Sequence, residues 1–476
     1  MTEQTDRTIS IPFSKKQALA LTAALAAYVL TAFCFGPVEG LPEQGQRAIA
    51  LMAAAVIIWV TEALPLTVAA MMLVMVQPLA GTASLNDSLH NFANPVVFFV
   101  FGMFCFTYAF TRTGLSERVA LWISRMAGGS PSRLVFCFIA GGTLLSTVMA
   151  DVPVVIMLAP IALKIVEQNG CMRLNSNFAR ALMIGLPMGI LIGGIATPTG
   201  SSSNILTMQF LQDMAGVGIS FAEWTAIGLP VALVLIPTVW FAMIKIFPPE
   251  LDTLEGTEDF EEEWKKLGPM SRDEKKFAVF ILVNMVLWFT DSIHHIPVPI
   301  LAVIGGTALF VPGIALLNWE YAGPRVSWDV LTLLGAACSL SMSLWNTGAA
   351  AWVGNFLLGD LLSLPLWLLM LVVGFFTMWI HLLVPISTPL IAVFMPMVIA
   401  LAQSKGINPA TLALPMGFLA TASFVLVIDA VQLVTYQYGY YSMKDWLKAG
   451  VAVSFIWIPL CVLSVLFIGG NVLGLY

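Results

Sequence analysis

The chain has 476 residues, of which 59% are hydrophobic and only 10% charged, with a mean hydropathy of +0.91 and a formal net charge of −6. So little polar surface excludes a soluble fold and points to an all-α polytopic membrane protein, because backbone in hydrocarbon must satisfy its hydrogen bonds within each segment. The small net charge names no partner by itself, and no nucleic-acid partner is expected.

Taken in order, residues 1–36 read as a cytoplasmic tail and a first span at 17–36, with no cleavable signal. Spans follow at 46–61, 64–80 and 95–111, and the basic, amphipathic run 112–131 reads as an interfacial helix. A re-entrant hairpin at 133–168, a broken helix at 179–214 interrupted by TPTGSSSN, and a span at 223–246 complete a first repeat over 37–247. The charged stretch 248–276 is expected to be a solvent-exposed cytoplasmic linker. A second repeat over 277–476 has spans at 277–292, 298–316 and 328–345 and an interfacial piece at 349–364. A hairpin at 366–403, a broken helix at 411–441 and a last span at 447–472 complete it.

This plan has about eleven crossings, each of the length that hydrocarbon demands. Of the 21 Lys and Arg residues, Arg7 among those inside, it leaves only Arg47 and Lys405 on the exterior. The positive-inside rule then places the N-terminus in the cytoplasm and the C-terminus outside, in a plasma (bacterial inner) membrane. The first hairpin opens from the cytoplasm and the second from the exterior. The six Cys residues show no CxxC spacing and read as packing residues. No P-loop, HExxH or GxSxG competes for an enzymatic reading, and no enzyme is expected.

The stretch Leu145 to Pro160, LSTVMADVPVVIMLAP, sets Asp151 among apolar residues. An acid at that depth marks an ion or substrate path by default; the bland alternative is that Asp151 only caps a helix. Thr113-Gly114 precedes the first hairpin as Thr347-Gly348 precedes the second, and Pro160 and Pro396 follow the two tips at matching distances. Two related halves of opposite topology, each with a hairpin and a broken helix, read as the inverted repeats of a secondary transporter whose site lies between the tips. Thr197 to Asn204 supplies hydroxyls, free carbonyls and half-helix ends suited to ions, the alternative being a Ser-rich kink satisfied by water.

Four runs carry a family resemblance: WVTEALPLTVAAMMLVMVQPLAG at 59–81, PSRLVFCFIAGGTLLS at 131–146, GGIATPTGSSSNIL at 193–206 and SWDVLTLLGAACSLSMSLWNTG at 327–348. They resemble the divalent anion sodium symporter family of dicarboxylate, citrate and sulfate carriers, over nearly the whole chain. The resemblance implies a homodimer, a scaffold holding the dimer interface, and a transport domain of hairpins and broken helices that moves as an elevator. It also implies a Ser-Asn-Thr triplet at each hairpin tip that binds substrate carboxylate and helps to hold sodium. This chain has Ala150-Asp151-Val152 at the first tip and Ile386-Ser387-Thr388 at the second. The substrate residues carried over are Asp151, Ser202, Ser203, Asn204, Ser387 and Thr388. The cation residues are Ser146, Asp151, Gly200, Ser201, Ser387 and Asp429, with Asp151 and Asp429 as the sodium-binding carboxylates.

Acid and hydroxyl have changed places between the halves: Asp151 and Ser201 in the first answer to Ser387 and Asp429 in the second. Two carboxylates beside an anion repel it in a poorly solvated site, so both need neutralising, by bound sodium or alternatively by protons. The expected activity is sodium-coupled transport of a small organic anion, carboxylate- or sulfonate-like, with fewer charged groups than a typical family substrate. No cofactor beyond the coupling ion is expected, and the partners are the anion, the bilayer and a second copy. The alternatives are a proton-coupled carrier or obligate anion exchanger of the same fold, or a passive channel or membrane sensor. Glu62 reads as a turn or cap before Pro65, or as a pathway acid; His381 as a proton relay, or as a buried, hydrogen-bonded neutral side chain. Trp446, Tyr440 and Tyr441 read as interface anchors.

Overall fold

The computed structural model describes residues 14–34, 36, 38–255, 257–384 and 386–474. The tail before Ser14, with Arg7, lies outside the described residues. Helix α1 (Lys15–Val29) starts on a capping box between Ser14 and Gln17 and packs on α2 (Glu43–Thr61). Glu62 ends α2 in the left-handed region (φ 49°) and is exposed, in keeping with the turn reading, and Pro65 then opens α3 (Leu66–Ala80). The short helix α4 (Leu85–Phe92), unassigned from the sequence, is capped by Ser84 and leads into α5 (Pro95–Arg112), which starts on Asn94 and Pro95. Next come α6 (Leu115–Met126), the hairpin α7 (Pro131–Ser146) and α8 (Asp151–Gln168), and the broken pair α9 (Asn177–Ala196) and α10 (Ser202–Ala215). Helix α11 (Phe221–Ile246) closes the first half.

The segment between the halves contains α12 (Thr257–Leu267) and is followed by α13 (Arg272–Phe289), α14 (Asp291–His294), α15 (Val298–Ala308) and α16 (Trp319–Ala322). Helices α17 (Trp328–Asn346) and α18 (Ala349–Leu358) precede the second hairpin, α19 (Leu366–Ile380) and α20 (Ser387–Lys405). Helix α21 (Ala410–Leu419), the shorter α22 (Ala430–Tyr436), α23 (Met443–Ser464) and α24 (Gly470–Leu473) complete the described chain. Among the described residues eight helical stretches are long and apolar enough to cross a membrane, against the eleven or so expected. One reason is visible at 298–316, where α15 stops at Ala308 ahead of Pro312 and Gly313.

The two halves pack on each other with exchanged partners. Helix α3 lies on α17 as α15 lies on α5, α10 on α20 as α22 on α8, and α21 on α10 as α9 on α22. Directions follow from neighbouring residues. Thr67, opening α3, donates to Asp329 at the start of α17 (2.6 Å), and Gln77 further on donates to Ser339 (2.8 Å), so α3 and α17 run parallel. Trp328 and Phe101 rings lie 6.4 Å apart, Gly335 sits against Phe92, and Ser339 donates to the Ser88 carbonyl (2.9 Å). Ser343 donates to that of Thr82 (3.2 Å), so α17 runs antiparallel to α4 and α5.

The charged segment between the halves is mostly exposed among its described residues, and α12 within it docks on α6. Trp264 lies over the guanidinium groups of Arg118 and Arg125 (5.6 and 5.7 Å to the ring centroid), and Arg125 also pairs with Glu261. Lys164 on α8 pairs with Glu263 (2.6 Å), and buried Arg118 holds Glu274 in two bonds (2.7 and 3.2 Å) and the Gly268 carbonyl (2.9 Å). The basic face of the 112–131 helix is thereby met by acids of its own chain, where an interfacial reading leaves it to lipid headgroups. Tyr440, Tyr441 and Trp446 are also not interface anchors, since all three are buried. The Tyr441 hydroxyl lies 3.0 Å from that of Thr435 and donates to the Gln432 carbonyl (3.2 Å), while Trp446 packs on Phe424.

Candidate functional site: the hairpin tips and the helix breaks

The first break exists because Pro198 and a run of hydroxyl residues cannot continue an apolar helix. A single 3₁₀ turn, Pro198–Gly200, separates α9 from α10, and Ser201 caps α10. Side chains of the break tie it both to the tip of the first hairpin and to itself. Thr197 and Thr199 both donate to the Thr147 carbonyl, the second at 3.0 Å. Asn204, wholly buried, donates to the carbonyls of Gly194 (2.6 Å) and Thr197 (2.9 Å). The chains approach so closely that a Cβ on Gly200 would lie 2.6 Å from the Gly194 oxygen and 2.8 Å from that of Ser146. Only glycine fits there.

Asp151 opens α8 and accepts from the Ser146 hydroxyl. A Cβ on Gly194 would stand 3.1 Å from both carboxylate oxygens, so the carboxyl lies directly on the break. The amide oxygen of Asn204 is buried and has no partner among the described residues. The structure brings Asp151 and Gly200 together against Gly194, with Ser146 bonded to Asp151. Ser201 and Ser203 bond each other (2.8 Å), and nothing joins either to the Asp151 carboxyl among the described residues. No group of three or more His, Cys, Asp or Glu gathers among the described residues. The donors at this break are carbonyl, hydroxyl, amide and carboxylate oxygens, the set a hard cation takes.

In the second half α22 begins on Asp429, whose carboxylate accepts from the Val431 amide (2.9 Å). Asp429 caps the helix that packs against α8, which Asp151 opens. Ser387 opens α20 as Asp151 opens α8, but no hydrogen bond joins it to Asp429 among the described residues; neighbouring Pro385 lies outside them. The two halves meet where the hydroxyl of Thr388 lies 2.9 Å from that of half-buried Ser202.

Sequence reasoning missed Gln432. It donates to the Ser423 carbonyl and hydroxyl (2.6 Å each) and accepts from the Ile428 amide (3.1 Å), closing the second break as Asn204 closes the first. The signal was a shared offset, since each amide stands three residues after its N-cap, Ser201 or Asp429. His381 is buried at the end of α19, as one of its two readings requires, and its Nδ1 has no hydrogen-bond partner among the described residues.

The sequence profile of the family described as the sodium:sulfate symporter transmembrane region matches residues 15–475. A "Membrane protein" of Cupriavidus necator is 28% identical over 434 residues, covering 87% of this chain and 84% of its own. The "Sodium-dependent dicarboxylate transporter SdcS" of Staphylococcus saprophyticus is 26% identical over 474 residues, covering 94% of this chain and 90% of its own. Among solved structures, the Alcanivorax borkumensis YdaH transporter is similar in fold, with a TM-score of 0.53 at 15% identity, over 80% of this chain and 87% of that one.

Proposed function

Because the chain belongs to the sodium:sulfate symporter family, a family of membrane transporters and not of enzymes, we propose that it carries a small organic anion across a plasma membrane together with sodium. The observation that carries this reading is the Asp151 carboxyl set against Gly194 at the first break, where Asn204 also holds an amide oxygen without a partner among the described residues. A cation seated there neutralises Asp151 and turns a repulsive surface into one that accepts an anion. Ser202, Thr388 and Ser387 then offer hydroxyls to the bound anion, with Ser203 and Asn204 supporting the α10 end. Replacing the family triplet with Ala150-Asp151-Val152 removes donors at the first tip, which favours a carboxylate or sulfonate with fewer charged groups than a dicarboxylate.

In this reading the exchanged packing and the antiparallel course of α17 and α5 reflect inverted repeats over 37–247 and 277–476. Helices α7 to α11 and α19 to α23 move together as an elevator within a homodimer. The N-terminus is cytoplasmic and the C-terminus exterior. Proton coupling is the second reading, favoured by the carboxylates at both breaks.

Uptake into proteoliposomes under a sodium gradient and, separately, a pH gradient decides between them. Sodium-driven accumulation that is weakened strongly in Asp151→Asn and less in Asp429→Asn is the expected result. Accumulation driven only by a pH gradient would replace sodium with protons, and unchanged ion dependence in both variants would sink the site. Equilibration without accumulation would support a channel, and counterflow without any ion gradient an exchanger.

A further inference from the structure

A groove of about 560 Å³ runs along the outer seam between α11 and α23, walled by Val234, Pro237, Phe241, Lys245, Ala452 and Ile456. Ser464, at the end of α23, donates to the carbonyl of Ile227 near the start of α11 (2.6 Å), whereas Ala452 and Ile456 lie beside the last turns of α11. The helices are therefore antiparallel, and the Lys245 end of the groove is also the N-terminal end of α23. Lys448 stands one turn before Ala452 on the same face of α23, and both lysines are exposed. The Lys245 ammonium folds to 5.6 Å from the Phe241 ring centroid, at the groove wall.

Acid at this rim is already engaged. Asp445, one turn before Lys448, accepts from the Ser442 amide and hydroxyl (2.9 and 2.7 Å) and faces Arg180 at 3.6 Å. Neither Lys245 nor Lys448 has a carboxylate partner among the described residues. An apolar channel at membrane depth with two uncompensated ammonium groups at one rim matches one occupant by charge and shape. Acyl chain lies along the wall while the lysine stems snorkel their charges to a phosphate. We infer that this groove is a binding site for an anionic phospholipid. Helix α11 packs on α7 and α9, and α23 on α19 and α21, so the bound lipid braces both hairpins from behind. This site is independent of the coupling ion and of the anion carried.

The test reconstitutes the full chain in nanodiscs of phosphatidylcholine containing a minor share of phosphatidylglycerol, then counts the lipids retained after extraction by native mass spectrometry. Wild type is expected to retain phosphatidylglycerol about fivefold or more over its bulk share. The double variant Lys245→Gln with Lys448→Gln loses that preference while running as the same particle on size exclusion, and Lys16→Gln keeps it. Ala452→Trp, which fills the groove, loses the retained lipid of either kind. Equal retention of both lipids by wild type, or undiminished preference in the double variant, overturns the inference. A change of oligomeric state in Ala452→Trp without loss of lipid would instead make the groove a seat for a second copy.

Discussion

The two helix breaks share an architecture and differ in chemistry. Counting from their N-caps, Thr197, Thr199 and Gly200 in the first half answer to Val425, Val427 and Ile428 in the second. The first break is a single 3₁₀ turn sewn to the neighbouring hairpin by Thr147, whereas the second runs from Ala420 to Asp429 and is closed mainly by Gln432 from within. Both keep a carboxyl group nearby, Asp151 on the hairpin and Asp429 on the break. A duplicated fold has thus set hydroxyls and a glycine next to the N-cap of one break and apolar side chains next to that of the other, whose polar groups are Asp429 and the Ser423–Gln432 pair. Ion selection should then depend more on the first half than on the second.

The largest effect is expected at Gly200. Gly200→Ala drives a methyl against two backbone oxygens that cannot move aside, and overpacking of this kind typically costs ~1–3 kcal/mol. Uptake should fall by roughly a hundredfold if that strain falls on the ion-bound state, whereas Ile428→Ala at the matching position should change it only about threefold. Equal loss in both would mean that the breaks are functionally alike. Next in size is the pair of acids. Asp151→Asn should raise the sodium concentration for half-maximal uptake about tenfold or more, and Asp429→Asn less, because only Asp151 lies on the break with the unpaired amide oxygen. Sodium titration of initial rates reads both.

Much of this was legible because interruptions in apolar runs are hard to hide. TPTGSSSN cannot be an apolar helix, and Asp151 has no cheap place in hydrocarbon, so the first hairpin and break are readable from composition alone. What stayed hidden depends on partners far along the chain. Gln432 sits in the apolar run AVQLV, and its role shows only when Ser423 and Ile428 are folded around it. Trp264 docks the segment between the halves through Arg118 and Arg125, residues well over a hundred positions earlier. Tyr441 and Trp446 look like membrane-interface aromatics by type and place, yet the turn after α22 folds them inward.

The closing amides give a third test, this one of stability. Gln432→Leu leaves the Ser423 carbonyl, the Ser423 hydroxyl and the Ile428 amide without their present partner in a buried place. Leaving a buried polar group unsatisfied costs about 1–3 kcal/mol, so the purified variant should melt several degrees lower. Asn204→Leu should cost a similar amount, because it too strips two carbonyls of a donor. The comparison predicts a difference in ligand response. Added sodium should recover much of the melting temperature of Gln432→Leu, whose first break is intact, and little of that of Asn204→Leu, since a ligand stabilises only a state that can bind it.

The smallest expected effect lies where the halves touch. The Thr388 and Ser202 hydroxyls are 2.9 Å apart, one on the second hairpin and one on the first broken helix. Thr388→Val keeps the branched shape and removes only the oxygen. Ser202 is half-buried, so its hydroxyl can turn to water, and the net loss is one ordinary hydrogen bond, about 0.5–1.5 kcal/mol. If the pair serves to present a donor to the carried anion, KM for the anion rises about threefold while maximal rate and sodium dependence hold, as loss of uniform binding requires. If it only pins the hairpin to the break, the melting temperature falls and KM stays put. A rise in KM accompanied by an equal change in sodium dependence would show that the contact belongs to the ion site, and would erase the division of labour between the two halves.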